Sequence, residues 1–139
     1  RLKEDLFDKL DGMIRDVDAI EDRYPQIMTE YREKLTLKVE ELLGDAQMEE
    51  GRIAAEVILF ADKICTDEET VRLRSHIESM REELLGGGSV GRKLDFLAQE
   101  MNREANTILS KANDLETSNR AINLKTEIEK VREQIQNIE

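Results

Sequence analysis

The sequence predicts an all-α fold of elongated helical hairpins that pack as an antiparallel bundle, with no sheet. Apolar residues recur at three- and four-residue spacing through most of the 139 residues, which is the period of one face of a helix. A single Pro, no Trp and 4% aromatic residues argue against a sheet-rich protein. Charged residues make up 38% and hydrophobic residues 39% of the chain, a balance typical of exposed helices with apolar stripes.

The first part of the chain, residues 1–45, is expected to form a long helical hairpin or one long kinked helix. Helical spacing of apolar residues runs through 2–20, and a second stripe runs through 27–42. Pro25 lies between the two stripes and is expected to break or kink the helix, because the residue before a proline disfavours the helical conformation. Gly44 follows the second stripe, where a glycine commonly ends a helix.

The remainder, residues 46–139, is expected to complete a single helical domain with a third and a fourth helix first. The third should span 46–64, and its predicted buried face consists of Ile53, Val57, Phe60 and Ile64. Thr66 and Glu69 have the spacing of a capping box, in which each side chain accepts a hydrogen bond from the other residue's backbone N–H. This box would begin a fourth helix that ends near Leu85.

The last two helices are expected to pair as an antiparallel hairpin. Gly86–Gly88 should form a flexible loop, and Ser89 is a candidate cap for a fifth helix that extends to Ala112. Asp114 or Ser118 should cap the final helix, whose stripe consists of Ala121, Leu124, Ile128, Val131, Ile135 and Ile138. Because these stripes and those near the N-terminus run almost the full length of each helix in a chain too short to cover them all, we expect them to form contacts between subunits.

Composition excludes several classes of protein. No apolar run is long enough to span a membrane, so no membrane partner is expected. The lone Cys65 gives no sign of an oxidising compartment, and a cytoplasmic location is expected. No Walker loop, dinucleotide fingerprint, zinc-finger spacing or serine-triad motif is present, and we expect no small-molecule organic cofactor.

The segment 91–107 is dense in residues that do chemistry. Its asparagines are poor helix formers, so something other than helix stability is expected to have selected them. Arg92 and Lys93 lie in the first turn of a helix, where cations are unfavourable. An anionic partner would relieve that misfit, and the alternative is pairing with Glu82 or Glu83. The cations that can hold phosphate in and around this segment are Arg72, Arg92, Lys93, Arg103 and Lys111.

Two carboxylates of this segment predict a cation site. Glu100 and Glu104 are four residues apart and share one helical face, so they repel by a few tenths of a kcal/mol unless a cation lies beside them. Arg103 is the ordinary candidate for that cation. The alternative is a divalent ion, and oxygen ligands of this kind suit Mg²⁺ or Mn²⁺. Asp95 either joins the ligands or holds Lys93 or Arg92, and Phe96 is expected in the core.

His76, the only histidine, is a candidate metal ligand or general base. Arg72 precedes it by one turn and lies near Glu68 and Glu69, so acid, cation and imidazole form a row on one side of a helix. The alternative is a half-buried histidine that bonds a carbonyl or a carboxylate. The candidate metal ligands are therefore Glu100, Glu104, Asp95 and His76, and the candidate substrate-positioning residues are Gln99, Asn102 and Asn106.

Several separated stretches carry a resemblance to a known family. They are Asp67–Glu69, Arg72–Ile77, Gly91–Thr107, Ser110–Lys111 and the tail Glu129–Glu139. With these stretches the chain resembles the C-terminal domain of the YicC/YloC family of bacterial proteins, which are associated with endoribonuclease activity. The resemblance covers most of the chain from about Tyr24 onward. Full-length members carry a further N-terminal region, so the chain is expected to be a C-terminal fragment.

The resemblance implies an endoribonuclease that acts on RNA and a ring-like homo-oligomer. We expect divalent-metal-dependent cleavage of single-stranded RNA, with His76, Glu100 and Glu104 catalytic. The formal net charge of −11 opposes RNA binding, because such binding depends largely on phosphate neutralisation, although local charge matters more than the sum. Two alternatives stay open: a non-catalytic oligomerisation module, and an RNA-binding adaptor that delivers RNA to another nuclease.

Overall fold

The structure, a computed structural model, describes residues 2–44, 49–87 and 91–138. This part of the chain is helical and contains no strand, which confirms the all-α prediction. None of its helices is long and apolar enough to cross a membrane. The helices are α1 (Leu2–Leu43), α2 (Glu50–Ile64), α3 (Asp67–Gly86), α4 (Gly91–Lys111) and α5 (Leu115–Ile138).

Four of these helices close into a bundle around one core. The first half of α1 packs against α3 and α5, and α4 packs against the same two helices from the other side. The core residues recur at helical spacing on each element, and the largest fully buried ones include Leu6, Leu10, Met13, Leu73, Ile77, Met80, Met101, Ile108, Leu124, Ile128 and Ile135. The stripes are therefore buried within one chain from Leu6 to Ile20 on α1 and from Ala121 to Ile135 on α5. Contacts between subunits stay a prediction, but these parts of the stripes offer no free apolar surface for them.

The hairpin predicted for residues 1–45 does not form. Leu2–Leu43 is a single helix with Pro25 inside it. A proline within a helix costs roughly 3 kcal/mol because it removes one hydrogen bond and crowds the preceding turn. Packing on both sides of the proline offsets that cost: Ile20 is 2% exposed and Ile27 is 8% exposed. The alternative of one long helix is thus the correct one.

The second half of α1 carries α2, and we call residues 27–43 and 50–64 the α1–α2 arm. The rings of Tyr31 and Phe60 stack with centroids 3.8 Å apart. Of the face predicted for this helix, only Ile64 is buried, because α2 packs chiefly against α1 and is not covered by the bundle. The predicted start at Ala46 lies outside the described residues.

The predicted capping box at the start of α3 is wrong. Thr66 occupies the N-cap position but makes no side-chain cap hydrogen bond. Glu69 is instead 4% exposed, and its carboxylate accepts hydrogen bonds from Lys111 Nζ at 3.2 and 3.3 Å. A cation from another helix outcompetes the local backbone because a charge-assisted bond is roughly twice as strong as a neutral one.

Two further expectations concern α4. Phe96 is 57% exposed and not in the core, because it falls outside the helical face that contains the buried Leu94, Leu97 and Met101. The predicted cap Ser89, and Gly88 of the predicted loop, lie outside the described residues. The antiparallel pairing of α4 and α5 is confirmed by their packing and by the Asp95–Arg132 bond, which joins the second turn of α4 to the second half of α5.

The turn between α4 and α5 is anchored to α1 through Asp114. As predicted, Asp114 caps α5, since its Oδ2 accepts a hydrogen bond from the Thr117 backbone N–H at 3.1 Å. The same oxygen accepts a bond from Arg23 Nε at 3.1 Å. Burial raises the pKa of Asp114, but the bonds from Thr117 and Arg23 outweigh burial and hold the pKa below its usual value.

We expect Asp114→Ala to lower the free energy of unfolding by about 1–2 kcal/mol at neutral pH, because it removes the cap and the pair with Arg23. Asp114→Asn keeps a good cap and should cost less. A lowered folded-state pKa gives stability that is present above the unfolded-state pKa and lost as pH falls through the folded value. Urea unfolding at pH 7 and below pH 4 should therefore show a smaller acid loss in Asp114→Asn than in the wild type. Asp22→Asn, at an exposed position of α1, is the control, and equal acid sensitivity in both variants would contradict the assignment.

Candidate functional site

Charged side chains line the seam between α3 and α4. Because the two helices run antiparallel, one face of each meets the other along its length, and the facing positions recur at intervals of about one or two turns. We call this set the α3–α4 ladder. Its members are Glu69, Arg72, His76 and Glu83 on α3, and Lys93, Glu100, Glu104 and Lys111 on α4.

Three levels of the ladder are ion pairs. At one end Lys111 Nζ lies 3.2 Å from Glu69 Oε2. Next, the Arg72 guanidinium donates from Nε to Glu104 Oε2 at 2.9 Å and from Nη2 to Glu104 Oε1 at 3.2 Å. At the other end Lys93 Nζ lies 2.7 Å from Glu83 Oε1. These pairs fix the register of α3 against α4.

The same register sets the fourth level, which consists of His76 and Glu100. His76 follows Arg72 by one turn on α3, and Glu100 precedes Glu104 by one turn on α4. In an antiparallel pair this places His76 level with Glu100, between the Arg72 and Lys93 pairs. His76 is half-buried, and no hydrogen bond to it is found among the described residues. No nitrogen of His76 lies within 4.0 Å of a Glu100 oxygen in the described residues, but the two side chains share one level of the seam between two ion pairs. They are the best candidate for acid–base chemistry in the ladder.

The two side chains of the Arg72–Glu104 pair, which lies next to this level, are buried to different extents. The side chain of Glu104 is 7% exposed and that of Arg72 is 48% exposed, so the carboxylate lies in the seam while part of the guanidinium faces solvent. Hydrogen bonding to Glu104 raises the pKa of Arg72. Arg72 also lies 3.7 Å from both Glu68 and Glu69, as the row of acids and cation predicts. The arrangement holds one edge of a guanidinium fixed beside His76.

The predicted phosphate-binding cations differ in what they already bind. Lys93, Arg72 and Lys111 are engaged by carboxylates across the seam, so for Lys93 the pairing with Glu83 is the alternative that the structure shows. Arg103 is 74% exposed, and its guanidinium lies 3.8 Å from Glu100. Arg92 is exposed and has no ion pair in the described part of the chain. Arg92 and Arg103 share the solvent-facing side of α4 beside the ladder.

The predicted metal ligands do not come together. In the described ranges no group of three or more His, Cys, Asp or Glu side chains is arranged to hold a metal ion. Asp95 Oδ1 accepts a bond from Arg132 Nε at 2.8 Å, and Asp95 Oδ2 accepts one from Gln99 Nε2 at 3.0 Å. Glu104 is bonded to Arg72. His76 and Glu100 are left as neighbours at one level of the ladder.

The predicted substrate-positioning residues lie on another flank of α4. Gln99, Asn102 and Asn106 are three and four residues apart and share a face. That face is turned toward the α5 side, where Gln99 donates to Asp95. The structure thus separates these amides from Glu100 and Glu104, and their role in positioning a substrate stays a prediction.

Two ladder residues were missed by sequence reasoning. Glu69 was assigned to a cap, and Glu83 was considered only as a neutralising partner for a cation. The signal that could have found them is the seven-residue spacing of Glu69, His76 and Glu83, which places the three on one helical face because seven residues make nearly two turns.

The fold and the ladder define a class of protein: a helical bundle with a polar, partly buried seam along one edge. The chain belongs to the family described as Endoribonuclease YicC-like, C-terminal, whose model matches residues 20–139. It is 45% identical over 140 aligned residues to a protein of Clostridioides difficile named Probable endoribonuclease YicC. It is 37% identical over 139 residues to a protein of the same name from Haemophilus influenzae. Each alignment covers 100% of the chain but 48% of the relative, so the chain spans about half the length of these relatives.

Proposed function

We propose that the chain forms the RNA-cleaving part of an endoribonuclease that acts on single-stranded RNA. The names of its relatives support the activity and its RNA substrate. The observation that carries the choice of site is the register of the ladder, which brings His76 level with Glu100 between two ion pairs. Exposed cations on the adjacent side of α4 provide a path for the RNA backbone.

In this proposal His76 moves the proton in the chemical step. Its neutral imidazole accepts the proton of the attacking oxygen as that oxygen bonds to phosphorus, and the leaving oxygen departs with a proton from solvent. Attack by water and attack by the RNA 2′-hydroxyl share this step. Glu100 orients the imidazole and stabilises its protonated form. The exposed edge of Arg72 and the guanidinium of Arg103 stabilise the charge that develops on the phosphoryl oxygens.

A divalent cation, Mn²⁺ or Mg²⁺, is a separate proposal for the complete protein. The predicted ligands do not fit a metal site by themselves within the part of the chain that the structure describes, since Asp95 and Glu104 are held by arginines. A cation at Glu100 would need ligands from RNA phosphates or from the other half of a full-length relative, as is common for Mg²⁺. No step of the proposed chemistry passes through it. Cleavage by the complete protein with added Mn²⁺ and with a chelator measures the requirement.

We expect the Arg92→Ala, Arg103→Ala double variant to bind single-stranded RNA more weakly and with less salt dependence. Each phosphate contact contributes about 0.7 to the slope of log K against log salt for a single strand, so the slope should flatten by about 1.4. Titrations between 50 and 200 mM salt measure it. The double variant Arg32→Ala, Lys38→Ala removes two exposed cations of the α1–α2 arm and is the control. An unchanged slope in the first variant would count against the phosphate path.

The alternative class, an oligomerisation module, is favoured by a different feature. The α1–α2 arm exposes apolar side chains that the bundle does not cover, and they include Leu37 at 65%, Leu42 at 72%, Ile58 at 62% and Leu59 at 62%. Such side chains are typical of contacts with another chain. We propose that the arm, and not α5, provides the subunit contacts of a homo-oligomer. The two functions are compatible, and the activity of the 139-residue chain without the rest of a full-length relative separates cleavage from assembly or RNA delivery.

A further inference from the structure

A polar groove of about 610 Å³ runs between α1 and α5. In the bundle each helix packs against two neighbours, and the α1–α5 edge is opposite the α3–α4 edge. The groove is therefore distinct from the ladder. Its volume is in the range of small-molecule sites, but its lining is polar, which favours a charged, hydrogen-bonding ligand over an apolar one.

No donor among the described residues bonds to two buried oxygens in the lining. They are Glu127 Oε2 and Gln134 Oε1, and their seven-residue spacing places both on one face of α5. Buried polar atoms in folded proteins are nearly always hydrogen-bonded. The adjacent Asp16, 2% exposed, obeys this rule, since it accepts bonds from Arg120 at 3.1 Å and from Asn123 at 2.7 Å. The carboxylate at the Asp16 end of the groove is thus hydrogen-bonded, whereas the two acceptor oxygens farther along α5 lack donors among the described residues.

Two cations that form no ion pair among the described residues lie on the α1 wall of the groove, opposite α5. Lys9 and Arg15 line the groove, and neither has a carboxylate within 4.0 Å among the residues that the structure describes. Asp5 and Asp8 also line the groove, about three and two turns from Arg15 toward the N-terminus of α1. An anionic group of a ligand would therefore sit at the Arg15 end, away from these acids.

Gly12 of α1 also lines the groove. A glycine in a helix interior is about 1 kcal/mol less favourable than alanine, so a mid-helix glycine calls for a reason. Packing within the chain gives none: a Cβ at Gly12 would meet only the Arg15 guanidinium at 3.5 Å, an ordinary contact. The open space at Gly12 allows a ligand in the groove to approach the α1 backbone closely.

We propose that the groove binds a guanine nucleotide, with the base against Glu127 and the phosphate against Arg15. A carboxylate only accepts hydrogen bonds, and the Watson–Crick edge of guanine presents two adjacent N–H donors. Adenine and cytosine place an acceptor nitrogen beside their amino group, and that nitrogen would face the carboxylate. Gln134 Oε1 accepts from a remaining donor of the ligand. The choice of a nucleotide rests on the proposed function, because an RNA-cleaving protein meets nucleotides as substrate and product.

Calorimetric titration of the chain with GMP, AMP and inorganic phosphate tests the proposal. GMP should bind about tenfold or more tightly than AMP, as a good bidentate base contact discriminates, and phosphate alone should bind more weakly than GMP. Glu127→Gln should weaken GMP binding about tenfold, whereas Glu129→Gln, an exposed neighbour on α5, should leave it unchanged. Equal affinity for GMP and AMP, or for GMP and phosphate, would overturn the proposal, and so would no binding, which would mean a groove filled by water only.

Gly12→Ala gives a test that a folding defect cannot imitate. This variant should raise the melting temperature by about 3–5 °C, because alanine favours the helix, and yet weaken GMP binding. A more stable variant with wild-type GMP affinity would contradict a ligand on the α1 backbone.

Competition of GMP with a single-stranded oligouridine that contains one guanosine then identifies the source of the nucleotide. Displacement by GMP means that the site takes a guanosine of RNA. Tight GMP binding with no preference for this oligonucleotide over plain oligouridine means a free nucleotide, and both results support the guanine site. These measurements need no cleavage, so their failure would leave the ladder and its chemistry untouched.

Discussion

Replacing His76 with Gln should reduce the rate of RNA cleavage by the complete protein about 10²- to 10⁴-fold, the usual contribution of a positioned general acid or base. The expectation follows from the ladder, in which His76 is the one imidazole, the side chain most often used to move protons in catalysis. Glutamine keeps a polar side chain of similar size but cannot accept and release a proton. RNA affinity and the melting temperature should stay close to the wild-type values, because His76 makes no hydrogen bond within the described residues.

Glu100→Gln is the companion variant. It should lower the cleavage rate less than the His76 change, since Glu100 acts on RNA only through the imidazole. Glu82→Gln, an exposed acid on the same helix as His76, is the matched control and should cleave at the wild-type rate. Wild-type rates in both His76→Gln and Glu100→Gln would reject the assignment of the site. A loss in Glu100→Gln alone would point to Glu100 as the proton acceptor.

The largest effect on stability is expected from Arg72→Ala, which should lower the free energy of unfolding more than either of the two comparison variants described below. Removal of one partner of a buried pair typically costs about 3–5 kcal/mol because the other charge stays buried. The loss should be smaller than for a fully buried pair because the Arg72 side chain is 48% exposed, so solvent screens part of the interaction. The Ala variant leaves Glu104, whose side chain is 7% exposed, without its guanidinium.

Glu104→Gln should be milder, at about 1 kcal/mol, because the amide oxygen can still accept a hydrogen bond from Arg72. Arg103→Ala removes an arginine that is 74% exposed on the adjacent helix and should change stability by less than about 0.5 kcal/mol. Urea unfolding of the three variants measures the order. Equal stability of Arg72→Ala and Arg103→Ala would show that the Arg72–Glu104 pair does not hold the seam.

The interior of the bundle was predictable from the sequence because a helix has a fixed period. Spacing alone marked Leu6, Leu10, Leu124 and Ile128 as members of apolar stripes. Spacing did not predict which apolar stripes are covered by other helices of the same chain, because that coverage depends on tertiary packing. Most of the stripes on α5 and at the start of α1 are buried inside one chain. Exposed apolar side chains lie on the α1–α2 arm, such as Leu42 and Ile58, and also singly on the bundle helices, such as Phe96.

Local rules failed where contacts between helices competed with them. Pro25 marks a helix boundary by its own chemistry, but burial of Ile20 and Ile27 on either side keeps α1 continuous. Glu69 has the right spacing for a capping box, but Lys111 of another helix takes its carboxylate. In each case the competing partner is distant in sequence, so a window of neighbouring residues does not reveal it.

The candidate site was predictable as a set of residues but not as an arrangement. His76, Glu100 and Arg72 were recognised by their chemistry and by the stretches that resemble a family. The register of α3 against α4 assigns Glu104 to Arg72 and leaves Glu100 to His76. Periodicity fixes which residues share a face of one helix, but it does not fix the offset between two helices. That offset decides between two candidate sites: a metal site formed by Glu100 and Glu104, and a proton-transfer site formed by His76 and Glu100.

The most direct test of the central claim uses the fact that the chain contains one histidine. The imidazole protons of His76 therefore give a single, already assigned set of NMR signals. Addition of a single-stranded RNA with 2′-O-methyl groups, which block attack by the 2′-oxygen, should shift these signals and raise the midpoint of their pH titration, because a nearby phosphate favours the imidazolium. Imidazole signals that keep the same position and the same titration midpoint at saturating RNA would contradict an RNA-cleaving site at His76.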